Sequence, residues 1–248
     1  MTSFLPRQDK PTLAYHHIKS DKQSNLAPVM FLGGFRSDME GTKAIYLQEK
    51  CIKSGRDYVR FDYSGHGESE GEFENCILSD WAQDATDIMT HCLDRPAILV
   101  GSSMGGWISL ILAEKASDKI AGLVGLAAAP DFTVWMENEM TDEWKQQLEA
   151  QGYFDLPNDY GDPYRISKSL LEDGRTLALL HRKIDVDFPI HLINGKKDTD
   201  VPWQTAEAIK QTFDSTKVDI TYLDEADHRL SAPDQLEVIW KAVEDLSV

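Results

Sequence analysis

The stretch AILVGSSMGGWISLILAEKA, residues 97 to 116, changes pattern at its centre. Ala97 to Val100 is a continuous apolar run, as expected of a strand covered on both faces. From Met104 onward the pattern reads as a helix. Between the two, Ser103 has Gly101 two residues before it and Gly105 two after, forming G-x-S-x-G. Ser102 has Val100 and Met104 in those places and does not fit the motif. Turning a strand into a helix within one residue strains the serine backbone and brings its flanks close, so only tiny side chains fit there. With glycine and serine each near ~7% of residues, a chain of this length matches the motif by chance about once in twelve. Alone the motif is weak; its strand-then-helix setting is what makes Ser103 a candidate nucleophile.

Working outward, short apolar runs alternate with helical patterns. Strands are expected in TLAYHHI from Thr12, VMFLGG from Val29, YVRFDYSG from Tyr58 and AGLVGLAAAP from Ala121. Two more follow in IHLING from Ile190 and VDITYLDE from Val218. Trp81, Ala85, Ile88, Met89 and Cys92 repeat at helical spacing, with Ser79 placed to cap the start. Near the end, Ser231 and Asp234 form an S-x-x-D start signal with Pro233 in the first turn, and Leu236, Ile239, Trp240 and Val243 line one face. This order predicts a mostly parallel, doubly wound α/β sheet. The alternation breaks over residues 131–187, a helical stretch rich in Trp135, Met136, Met140, Trp144, Phe154, Leu156, Tyr160 and Tyr164. It reads as an insertion covering the carboxyl ends of the strands, set into a core of residues 1–130 and 188–248.

A serine hydroxyl needs a base, and histidine is the usual one near neutral pH. Of seven histidines, His16, His17 and His191 fall in strands, His91 near a helix end and His181 in the insertion. His66, in DYSGHGES, follows a strand and can approach the site without being the base. His228, in DEADHRL, follows the last expected strand, where a loop would carry its imidazole to Ser103. The base in turn needs a carboxylate to hold its tautomer. Asp198, just past IHLING, is favoured over Asp200, which stands closer to a helix start, and over Asp224 and Asp227. For a developing oxyanion, two backbone donors are expected. These are the N–H of Met104, at a helix N-terminus, and the N–H of Phe35, after the turn made by Gly33 and Gly34.

Composition narrows the class. The chain has 248 residues, with 25 Lys and Arg against 42 Asp and Glu, for a formal charge of -17. Such a charge repels phosphate backbones, so no nucleic-acid partner is expected. Cys51, Cys76 and Cys92 form no C-x-x-C pair, so neither a disulfide framework nor a thiolate zinc site is expected. The opening MTSFLPRQDK lacks signal- and transit-peptide patterns, and no apolar run nears the ~18 residues of a membrane span. The expectation is a soluble cytoplasmic protein without integral membrane association.

Five segments carry a resemblance: GFRSDMEGTKA from Gly34, RFDYSGHGESEG from Arg60, VGSSMGGW from Val100, KKDTDVPW from Lys196, and DHR from Asp227. Together they resemble the α/β-hydrolase superfamily, and more narrowly its abhydrolase-domain group of palmitoyl-protein thioesterases and acyl-glucuronide esterases. The resemblance implies the α/β-hydrolase fold with a small helical lid, and it assigns nucleophile, acid and base to Ser103, Asp198 and His228. It also implies hydrolysis of a carboxylic ester or acyl thioester, from a small molecule or an S-acylated protein, with no cofactor and no metal. Trp135, Met136 and Met140 are the insertion residues expected to contact the acyl group. An amidase or aminopeptidase on the same fold, or a binding protein without turnover, are the competing readings.

Overall fold

The computed structural model describes residues 1–20, 25–157, 163–213 and 217–246. Tyr160, one of the bulky residues of the insertion, lies outside them. The chain begins with strands β1 (Ser3–Arg7), β2 (Lys10–Ile18) and β3 (Val29–Leu32). Helix α1 (Thr42–Ser54), strand β4 (Tyr58–Phe61) and helix α2 (Leu78–Cys92) follow. Strand β5 (Ala97–Ser102), helix α3 (Met104–Lys115) and strand β6 (Ile120–Leu126) complete the first part. The insertion holds α4 (Phe132–Asn138), α5 (Asp142–Gln151), β7 (Tyr153–Leu156), β8 (Tyr164–Ser167) and α6 (Lys168–Thr176). The chain then returns through β9 (Ile190–Gly195), α7 (Thr205–Thr212), β10 (Val218–Leu223) and α8 (Pro233–Asp245).

Eight strands form one sheet in the order β1-β2-β4-β3-β5-β6-β9-β10. β1 and β2 are antiparallel additions, and the strands from β4 to β10 run parallel. The expected doubly wound α/β sheet is therefore the observed one. The apolar strands are buried on both faces. Met30, Leu32, Leu99 and Leu123 face Trp81, Ile88, Trp107 and Ile111 on one side. Val29, Phe31, Ile98, Val100 and Val124 face Leu47, Cys51, Ile239 and Trp240 on the other. α3 is buried from Met104 to Ala113 without a polar face, as expected of a helix enclosed all round. Strand order reverses between β3 and β5, and the crevice beyond their carboxyl ends is where such sheets bind ligands.

Four local expectations are corrected. β1 was not expected: it is an edge strand whose register shifts between Leu5 and Arg7, around Pro6, which has no N–H to donate. The insertion is not wholly helical, because β7 and β8 pair antiparallel from Tyr153↔Ser167 to Leu156↔Tyr164. Ser79 is not a cap. Its N–H and Oγ donate to Asp173 at 2.7 Å, while the Asp80 carboxylate accepts the Ile77 N–H at the helix start. Ala232, not Ser231, precedes the last helix, and its N–H donates to Gln235 Oε1 at 3.1 Å while Ser231 Oγ donates to the Arg229 carbonyl. Each concerns a partner that linear spacing does not reveal.

Candidate active site

Ser103 sits between β5 and α3 with φ 55° and ψ -118°, a conformation that a non-glycine residue adopts only under constraint. The constraint is visible on both sides. A Cβ on Gly101 would lie 2.4 Å from the Gly105 carbonyl oxygen, and one on Gly105 would lie 2.2 Å from the Leu32 carbonyl oxygen. Strand, turn and helix therefore close on one another without room for a methyl group.

His228 follows β10, and its Nε2 lies 3.1 Å from Ser103 Oγ. Its Nδ1 lies 2.8 Å from Asp198 Oδ2. With a carboxylate at Nδ1, the neutral ring carries its proton there, leaving Nε2 free to accept from the serine hydroxyl. The Asp198 side chain is fully buried, and its Oδ1 accepts the N–H groups of Asp200 and Val201 at 2.9 and 2.8 Å. The Lys197 N–H donates to the Ala226 carbonyl at 3.0 Å, tying the two loops that carry Asp198 and His228. Asp200 thus gives Asp198 a backbone donor, whereas the contact with His228 belongs to Asp198. Asp224 pairs with Lys196, and Asp227 accepts the Arg229 N–H.

Asp198, Asp200 and His228 offer ligand atoms within 4.8 Å of one another, so a cation is geometrically conceivable. The donor chemistry argues otherwise. Both Asp198 oxygens and His228 Nδ1 already hold hydrogen bonds that a metal would have to replace.

The loop after β3 lies against the serine, since a Cβ on Gly34 would be 3.5 Å from Ser103 Cβ. Neither the Phe35 nor the Met104 N–H donates to another group among the described residues. The Arg36 N–H points elsewhere, to His66 Nε2 at 3.2 Å. A cavity of about 470 Å³ opens over Ser103 and His228, lined also by Phe35, Lys43, Tyr164, Thr199, Asp200 and Arg229. Trp135, Met136 and Met140 do not line it; Met136 and Met140 are half-buried against the core. Of the insertion, Tyr164 reaches the cavity instead.

Lys43 and Arg229 lie in two of the segments that carry the resemblance, but neither was given a role from the sequence. Lys43 Nζ donates to the Arg229 carbonyl, a contact across 186 residues. Burial draws its amine down to about 8, partly offset by Asp227. The cysteines are not rival nucleophiles: burial pushes Cys51 and Cys92 up to about 12 and Cys76 to about 11. Three of the strand and helix histidines have partners of their own, with His16 against Thr2 Oγ1 at 3.3 Å, His91 against Tyr15 Oη at 3.0 Å and His191 against Thr221 Oγ1 at 2.8 Å.

The chain has counterparts among known proteins. Residues 28–162 match the family model for the α/β hydrolase fold. The human palmitoyl-protein thioesterase ABHD10, mitochondrial, is 36% identical over 246 residues, covering 98% of this chain and 79% of the relative. The structure of mouse ABHD10 superposes with a TM-score of 0.90 at 33% identity, over 99% of this chain and 98% of the other. A crystal structure from Agrobacterium vitis S4 superposes with a TM-score of 0.93 at 33% identity, over 100% of this chain and 98% of the other. These relatives also correct the expected location. The bovine, orangutan and human proteins are named mitochondrial, which points away from the cytoplasm. Composition separates reducing from oxidising surroundings, not one reducing compartment from another. No helix among the described residues is long and apolar enough to cross a membrane.

Proposed function

The chain belongs to the α/β-hydrolase family and is a hydrolase of esters or thioesters, and from that premise we propose that it works through an acyl-enzyme on Ser103. Ser103 Oγ attacks the acyl carbonyl as its proton passes to His228 Nε2. The buried Asp198 carboxylate holds the ring and stabilises the imidazolium that forms. The carbonyl oxygen, now an oxyanion, is received by the N–H groups of Phe35 and Met104, the latter aided by the α3 dipole. Collapse of the tetrahedral intermediate expels a thiolate or alkoxide, which takes the proton from His228. Water repeats the sequence and releases the acid.

The observation that carries this reading is the hydrogen-bonded line from Ser103 through His228 to the fully buried Asp198, on a serine held at positive φ. The N–H groups of Phe35 and Met104, which donate to no described group, support the oxyanion assignment. For the substrate, the thioesterase names of the relatives support an S-acylated cysteine, in a protein or a small thiol. Residues 131–187 act in this reading as a cap on the core of residues 1–130 and 188–248, with Tyr164 as their contribution to the cavity.

Labelling with a fluorophosphonate probe, followed by hydrolysis of p-nitrophenyl esters and S-acyl-cysteine peptides of several chain lengths, tests the reading. The wild type and Ser102→Ala are expected to label and turn over, whereas Ser103→Ala forms no acyl-enzyme. Absence of labelling in the wild type would mean a binding protein. Good cleavage of an aminoacyl amide with a flat response to acyl length would mean an amidase.

A further inference from the structure

The segment that carries the Phe35 N–H is gripped from behind. Arg36, the next residue, adopts φ 53° without being glycine. A left-handed residue in a loop keeps that conformation only while its surroundings enforce it. Here the Ser37 N–H closes the turn on the Gly34 carbonyl at 3.1 Å, the Arg36 guanidinium lies over the Phe73 ring at 4.8 Å, and the central amide of the turn is held by the Arg36 N–H on His66 Nε2 at 3.2 Å. On the other side of the ring, His66 Nδ1 lies 3.2 Å from the Ser64 carbonyl oxygen, which can only accept. Nδ1 therefore carries the ring proton and Nε2 the lone pair that Arg36 requires.

The ring has little freedom to do otherwise. His66 is 4% exposed and packs edge-on against Tyr63, Phe73 and Trp81, with centroids 5.6, 5.0 and 5.4 Å away. Phe73 and Trp81 also hold the Phe35 ring, at 4.9 and 5.9 Å. The same two aromatic rings thus fix both the loop residue and the histidine that accepts from its neighbour. Burial, opposed by the Ser64 carbonyl and aided by the Arg36 charge, draws the imidazole down to about 4, so the ring is a neutral acceptor near neutral pH.

We infer that His66 is a positioning residue for acyl transfer: by accepting the Arg36 N–H it orients the preceding amide, that of Phe35, toward Ser103. The inference rests on the reading of Ser103 as nucleophile and the Phe35 N–H as oxyanion donor. Without the acceptor the turn keeps its closing bond from Ser37 to Gly34 but its central amide is free to rotate, and a donor displaced by about an ångström costs on the order of 10²-fold in rate.

The test compares kcat and KM for p-nitrophenyl butyrate among the wild type, His66→Phe, His66→Gln, His66→Asn and Ser103→Ala. His66→Phe keeps an aromatic ring and removes the acceptor; kcat is expected to fall on the order of 10²-fold with KM little changed. His66→Gln sets an amide oxygen near the place of Nε2 and is expected to recover most of the loss. His66→Asn reaches only the place of Nδ1 and is expected not to. Equal kcat losses in the Gln and Phe variants, or none in Phe, would overturn the inference. A proton-coupled nitrogen spectrum of the wild type reads the tautomer directly, whether or not a variant folds. His66 protonated at Nε2 near pH 7 would overturn the inference as well. Ser103→Ala with wild-type turnover would instead refute the nucleophile assignment, a separate result.

Discussion

Ser103, His228 and Asp198 meet because three separate loops end at one point. The serine is held by glycine contacts, and the acid by two backbone N–H donors. His66 shows the same economy, since one buried ring serves as core filler and as acceptor for the loop before α1. Its burial also has a consequence for stability. A histidine whose folded pKa is lowered binds fewer protons in the folded than in the unfolded state between about 4 and its ordinary value near 6.5. Stability is then fully present above about pH 6.5 and declines as pH falls toward 4. His66→Gln is expected to flatten this part of the dependence, seen by comparing melting temperatures of the two proteins from pH 7 to 4. Unchanged slopes in that window would contradict a neutral, buried His66. His16, His17 and His191 shift in the same direction through burial, so the difference between the two proteins isolates His66.

At the scale of elements, the decisive feature is how tightly α3 approaches β3 and β5. A methyl group on Gly105 would lie 2.2 and 2.4 Å from the Leu32 and Gly33 carbonyl oxygens, both backbone atoms that cannot swing aside. Gly105→Ala is therefore expected to destabilise the protein by about 1–3 kcal/mol, read as a lower urea midpoint, and to abolish labelling of Ser103. Retained labelling at wild-type rate would show that the elbow tolerates the shift. The insertion is closed in a comparable way. The buried Asp131 carboxylate at its start accepts the Leu179 and Leu180 N–H groups near its end, at 2.8 and 3.0 Å. Phe154 and Ile166 from its hairpin are fully buried, with Trp144 stacked on Phe154 at 5.2 Å. This explains why bulky residues that suggest a substrate surface in the sequence mostly pack inward.

On the scale of the molecule, the first strand is joined to the sheet's flanking layer by charge as well as by pairing. Arg7 Nη1 lies 2.6 Å from Asp84 and 2.9 Å from Asp87, and its Nη2 donates to Ser64 Oγ at 3.0 Å. Burial pushes the Asp84 carboxyl up, opposed by the Ser64 N–H and by Arg7, so removing Arg7 leaves a buried acid without its counter-charge. Arg7→Met is expected to cost about 3 kcal/mol in urea unfolding, with labelling of Ser103 preserved because the pair lies away from the cavity. A loss below about 0.5 kcal/mol would mean that the pair behaves as a surface contact.

The sequence by itself determined the alternation of apolar strands and helices, hence the parallel sheet, because strand and helix periods are local properties of the side-chain pattern. It also singled out Ser103 over Ser102, since the motif is a matter of two-residue spacing. Asp198 and His228 were legible as positions after strands. Tertiary structure decided the rest. It brought Lys43 to the Arg229 carbonyl and Tyr164 to the cavity, and turned His66 toward Arg36. These are contacts between residues far apart in the chain, made where separate loops converge. Nothing in the local order of residues encodes the distance between two loops until the sheet has folded and aligned their ends.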